Sequence, residues 1–169
     1  SLRSVVFGKN VKKIGVNAFR GCDELTTIVI PSSVTEIGEY AFEGCTKLET
    51  LIIGNNVKTI GNSAFRNCKM LKKIVIPNSV TNLGESVFEG CESLASVSIG
   101  AGVKVLSKNI FNGCNELLSV DWGTNVEIIN VGAFYNCGKL QTINLPISTK
   151  KIYAEAFLGC SNIRNLSIA

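Results

Sequence analysis

The chain has 169 residues, of which 46% are hydrophobic and 18% charged, with a formal net charge of +4 and no histidine. This apolar content excludes a disordered chain, and apolar runs no longer than a strand, such as Leu51-Ile52-Ile53, exclude a membrane-spanning helix. The mild, scattered positive charge does not support nucleic-acid binding, and the missing histidine removes the commonest general base.

Residues 1–7 align with the strand segment of every later unit and read as a partial coil. From Gly8 the sequence repeats every 23 residues without an insertion: 8–30, 31–53, 54–76, 77–99, 100–122, 123–145 and 146–168. A fixed period of this length predicts one stacked solenoid. Neither end carries a polar capping coil, so the chain is expected to be a fragment of a longer protein.

Each repeat opens on a strand breaker: Gly8, Pro31, Gly54, Pro77, Gly100, Gly123 or Pro146. In repeat 31–53, Val34-x-x-Ile37-Gly38 then reads as a short strand or extended corner. Glu39 to Gly44 reads as one turn, of 3₁₀ type, closed by glycine. Leu48-x-x-Leu51-x-Ile53 ends in the alternation of a strand. Stacking predicts inward ladders at Leu25, Ile28, Ile30, Val34, Ile37, Ala41, Phe42 and Cys45 and at their equivalents 23 residues apart. Two of these carry Phe19, Phe42, Phe65, Phe88, Phe111, Phe134 and Phe157, and Cys22, Cys45, Cys68, Cys91, Cys114, Cys137 and Cys160. Trp122 replaces an isoleucine, Ile163 replaces a leucine, and Thr149 breaches the Val34 ladder.

The fuller pattern, L-x-x-I-x-I-P-x-S-V-T-x-I-G-x-x-A-F-x-G-C, is most complete at 31–53 and 77–99. It resembles the BspA-like class of leucine-rich repeat over the whole chain. The later copies depart from it: Gly15, Gly38, Gly61 and Gly84 give way to Ser107, Asn130 and Tyr153, and Ala41 to Val87 and Ile110. The resemblance implies a right-handed leucine-rich-repeat coil with a parallel β-sheet on the concave face and short strands or 3₁₀ turns on the convex side. It further implies a non-catalytic protein-binding or adhesion module at a bacterial or protist cell surface, or secreted, with a host or cell-surface protein as partner. An intracellular protein–protein interaction scaffold is the alternative, which seven unpaired cysteines favour slightly.

The cysteine ladder is the most conspicuous chemistry. Its reading is a small buried group with a weak S–H donor; bridges between neighbours are the alternative, although in-register Cβ vectors suit their torsion poorly. No metal site or cofactor is expected without histidine or C-x-x-C. Arg20, Glu43, Arg66 and Glu89 would meet as opposite charges on neighbouring coils. Lys12, Lys58, Lys104 and Lys150 would form a diffuse basic edge. Asn165-Leu166-Ser167 matches a glycosylation sequon but lies in a strand segment, and is discounted. The candidate binding strip is the outer face of the sheet. One row reads Val6, Val29, Ile52, Val75, then Ser98, Asp121, Asn144, Ser167; its neighbour includes Thr50 and Lys73.

Overall fold

The computed structural model describes residues 2–168; Ser1 and Ala169, the outermost positions of the end segments just discussed, lie outside them. Each coil contributes one two-residue corner strand and one longer strand. In chain order they are β1 (Lys13–Ile14), β2 (Thr27–Ile30), β3 (Glu36–Ile37), β4 (Thr50–Ile53), β5 (Thr59–Ile60), β6 (Lys73–Ile76), β7 (Asn82–Leu83), β8 (Ser96–Ile99), β9 (Val105–Leu106), β10 (Ser119–Asp121), β11 (Ile128–Ile129), β12 (Thr142–Leu145), β13 (Lys151–Ile152) and β14 (Asn165–Ile168). All pairing is parallel, and every paired residue sits 23 positions from its partner, as in Ile28–Leu51 and Ile37–Ile60. The long strands bury alternate residues. The predicted inward positions are buried through the middle coils. Toward the end coils the burial fades, with Cys22 half-buried and Ile152, Leu166 and Ile168 exposed.

The segment expected as a 3₁₀ turn carries the right internal hydrogen bonds without being helical. In coil 31–53 the N–H groups of Ala41, Glu43 and Cys45 donate to the carbonyls of Gly38, Tyr40 and Phe42. The alternating N–H groups of Tyr40, Phe42 and Gly44 donate outward, to Asn62, Ala64 and Arg66 of the next coil. Positive φ at Tyr40 (55°) and Gly44 (73°) turns those donors out and stops a helix. The first left-handed position recurs at Asn17, Ser63, Ser86 and Asn109, residues that pay for the conformation in strain of about 1–3 kcal/mol each. The compensation is a ladder of three bonds at every junction between coils, unbroken along the rod.

The sheets are less continuous than the turns. The long strands order as β10-β8-β6-β4-β2 with β12-β14 apart, and the corner strands as β1-β3-β5-β7 with β13-β11-β9 apart. The corner seam falls where the corner glycines end. A Cβ at Gly38, Gly61 or Gly84 would come within 2.7, 2.6 or 2.5 Å of the preceding coil's backbone. Ser107 differs from every other residue at this position in that its hydroxyl donates to the Leu83 carbonyl, where the backbone N–H of Gly38, Gly61, Gly84, Asn130 and Tyr153 donates in the other coils. A Cβ alone does not open the corner, since Asn130 and Tyr153 keep that bond. The main-sheet seam has an aromatic cause. At the second inward strand position Trp122 leans forward onto Phe134 of the next coil, with centroids 5.3 Å apart. Phe7 does the same to Phe19 at 5.8 Å. In both cases the segment that leads to the wide ring does not pair with the coil ahead. Within the partial coil 1–7, which aligns with the strand segment, residues 2–7 form no strand, although Val5 and Phe7 still pack on the core.

Restoring the regular side chains should close these seams. The amide of Val105 should exchange at least tenfold faster in hydrogen exchange than that of Asn82, which donates to the Lys58 carbonyl of the preceding coil, and Ser107→Gly should remove the difference. Trp122→Ile should do the same for Thr142 to Leu145. Uniform protection of all corner strands in the parent protein would contradict this account.

Candidate functional site

Alternation along the long strands leaves one aliphatic residue per strand on the outer face of the first three coils. Val29, Ile52 and Val75 are 50, 54 and 52% exposed, in register across β2, β4 and β6. Between the last two strands the sheet opens. The β2–β4 and β6–β8 ladders each pair four residues, whereas β4–β6 pairs only Thr50 with Lys73. Past that pair Ile52 and Val75 face each other across a groove of about 650 Å³, flanked by Glu49, Asn55, Lys72 and Pro77. Leu51 and Ile53 reach its floor and are 6% exposed. No residue peculiar to β4 or β6 explains the opening.

Four of the sequence-predicted strip residues, Thr50, Ile52, Lys73 and Val75, are thus brought together in one groove. Val29 continues the aliphatic row on β2. Val6 is 94% exposed but stands on no strand, so it does not extend the strip as expected. Asp121 lies two strands beyond Lys73 and accepts a hydrogen bond from the Ser98 hydroxyl at 2.9 Å; Asn144 accepts one from Ser167 at 2.8 Å. The face therefore changes from aliphatic to hydrogen-bonded polar along the rod.

Most charges on the surface are consumed by neighbours. Lys72 pairs with Glu49 at 2.8 Å, and Lys47 with Glu24. The Arg20–Glu43–Arg66–Glu89 ladder forms, at 2.6, 3.7 and 3.3 Å, with Glu43 buried between the two arginines. Lys150 is removed from the basic edge: it pairs with Glu127 at 2.7 Å, and its hydrogen bond and charge hold that carboxyl below the usual range. Lys73 has no carboxylate within ion-pair distance among the described residues.

The cysteines are all free. Each thiol from Cys45 onward donates to the phenylalanine carbonyl 26 residues earlier, as from Cys68 to Phe42 at 3.4 Å and from Cys91 to Phe65 at 3.3 Å. The same Phe42 carbonyl also accepts the Cys45 N–H at 3.2 Å, so each ladder step ties two neighbouring coils together. Burial pushes the Cys45 and Cys91 thiols up to about 12 and raises those of Cys68 and Cys114 well above the ordinary value. These thiols are poor nucleophiles and poor metal ligands. Among the described residues no group of cysteines and carboxylates is placed to hold a metal ion. Sequence reading placed the sulfurs inside but missed their acceptors, which belong to the preceding coil.

Comparison with known proteins agrees with the geometry. The model of the BspA type leucine rich repeat region matches in six copies, over residues 1–118 and 91–169. A leucine rich cell surface protein of Faecalibacterium prausnitzii is 28% identical, with a TM-score of 0.71 over 100% of this chain and 54% of its own. A leucine-rich repeat protein of Bacteroides ovatus is 33% identical, with a TM-score of 0.64 over 94% of this chain and 53% of its own. The leucine rich repeat protein of T. pallidum is 32% identical, with a TM-score of 0.59 over 77% of this chain and 72% of its own. The chain thus spans about half the length of the first two proteins. No curated protein matches it. With the 23-residue coil, the phenylalanine and cysteine ladders and the parallel sheet in place, the chain belongs to the BspA-type leucine-rich repeat family.

Proposed function

We propose that the chain is a non-catalytic, protein-binding module of a cell-surface or secreted protein, and that it engages its ligand through the outer face of the long-strand sheet. The observation that carries this is the row of half-exposed aliphatic residues Val29, Ile52 and Val75 beside an opening in the sheet. Contiguous apolar surface kept in water is a common mark of a contact site, and here it sits on rigid, regularly spaced strands. The leucine-rich repeat fold is typically a binding scaffold, and a surface location is supported by the F. prausnitzii neighbour, which is described as a cell surface protein.

The test is capture of biotin-labelled host-cell surface proteins by the immobilised chain. The double substitution of Ile52 and Val75 by lysine should lower capture at least tenfold while leaving the thermal midpoint within about 2 °C, because both side chains point away from the core. Equal capture by the folded variant would rule the face out.

A further inference from the structure

We infer that the groove between β4 and β6 takes a peptide segment in which an apolar side chain stands next to a carboxylate. The apolar side chain wedges between Ile52 and Val75, and the carboxylate pairs with Lys73. This rests on the reading of the sheet face as the contact surface and gives its partner a chemistry.

The opening is local. Both neighbouring ladders are complete, and pairing between β4 and β6 ends at Thr50–Lys73. Two consequences follow from elementary chemistry. Aliphatic side chains that would close against each other across a normal strand spacing of about 4.8 Å instead wall a space open to an incoming group. The strand backbones also lose their ladder partners across the gap, so amide and carbonyl groups border a largely apolar groove, and such groups are rarely left unpaired once covered. The volume, about 650 Å³, lies within the range of small-ligand pockets, about 300–1,000 Å³. It suits one side chain and the backbone on either side of it.

Charge selects the rest. Lys73 stands at the paired end of the opening with Thr50 and Ser96 as its ladder neighbours, and both are hydroxyl residues. Lys72 and Glu49, on the rim, satisfy each other at 2.8 Å. On the far side Asp121 accepts from Ser98 and makes no ion pair with Lys73. The groove thus presents apolar walls, unmatched backbone groups and one unmatched cation. A fatty acid would use the walls and the cation but not the backbone; a peptide with a carboxylate beside a leucine or phenylalanine uses all three.

The experiment is an NMR titration of the ¹⁵N-labelled chain with blocked pentapeptides carrying Leu or Phe next to Glu, with the same peptides carrying Gln, and with octanoate. The Glu peptides should bind at least tenfold more tightly than the Gln peptides and shift the amides of Thr50, Ile52, Lys73 and Val75. Lys73→Met should erase the Glu preference while retaining the weaker Gln binding. Equal binding of Glu and Gln peptides, octanoate binding as tight as that of the peptides, or shifts elsewhere on the rod would each overturn the inference. The two proposals fail separately. Should the Ile52 and Val75 lysine variant lose protein capture while the peptides show no carboxylate preference, the contact surface stands and the carboxylate does not. Should that variant capture as the parent does, both fall.

Discussion

Replacing Phe111 by alanine should destabilise the chain by about 3–5 kcal/mol, read as a lower midpoint in urea with an unchanged folded-state spectrum. The ring is fully buried and stacks on Phe88 and Phe134, with centroids 5.7 and 5.2 Å away. Truncation removes its transfer free energy and leaves a cavity between two rings that are fixed by their own coils, so little collapse can refill it. The position is also the centre of the turn ladder. The Phe111 N–H bonds Ala133 ahead, and its carbonyl receives both the Cys114 N–H and the Cys137 thiol, the latter at 3.2 Å. Those backbone bonds survive the substitution, so the loss should be that of packing alone. Because both sheet seams border coil 100–122, that coil relies on the turns and rings more than its neighbours do. A substitution of Phe42, which sits where the flanking corner strands are fully paired, should cost a similar amount in total but should not separate the rod into two unfolding steps. A midpoint for Phe111→Ala equal to that of the parent would show that the ring is not a core group.

Raising the pH should unfold the chain through its thiols. Burial pushes the Cys91 thiol up to about 12 in the folded state, from an ordinary value of 9.0. An acid whose folded pKa is raised binds its proton more tightly in the folded state. Its contribution is therefore intact below the unfolded value and is lost as the unfolded chain begins to ionise. Between about pH 9 and about pH 12 a shift of about three units corresponds to about 4 kcal/mol for this one group. Cys45, Cys68 and Cys114 shift in the same direction for the same reason, burial, so their losses should accumulate. Lysine ion pairs also weaken in this window, and Cys91→Ser separates the two causes. Serine keeps a donor for the Phe65 carbonyl and does not titrate there, so stability measured in urea at pH 7, 9 and 10.5 should fall less steeply for the variant. Parallel pH profiles for parent and variant would place the alkaline loss elsewhere. The thiol most accessible to a reagent should be Cys22, the half-buried member of the ladder.

Much of the fold was legible because the period is local information repeated seven times. The identity of the inward positions follows from apolar residues at Leu25, Ile28, Ile30 and their equivalents, and the burial of the middle coils agrees. The outward placement of Val29, Ile52 and Val75 follows from strand alternation alone. The left-handed backbone at Tyr40 could not be read, since tyrosine carries no signal for that conformation; its cause is the bond from its N–H to Asn62, one coil ahead. Glycine at position 44 did carry the signal and was read as a stop.

The sequence by itself determined the register, the inward ladders and the face on which a partner would find aliphatic groups, because each depends only on residue type and spacing. The tertiary structure decided where neighbouring coils zip and where they stand apart. The segments leading to Trp122 and Phe7 do not pair with the next coil, the Ser107 hydroxyl takes the Leu83 carbonyl at the corner seam, and β4 and β6 part beyond Thr50 and Lys73. Ladder closure depends on the distance between backbones in different coils. That distance is set by side-chain bulk contributed from both sides, a quantity no single repeat contains.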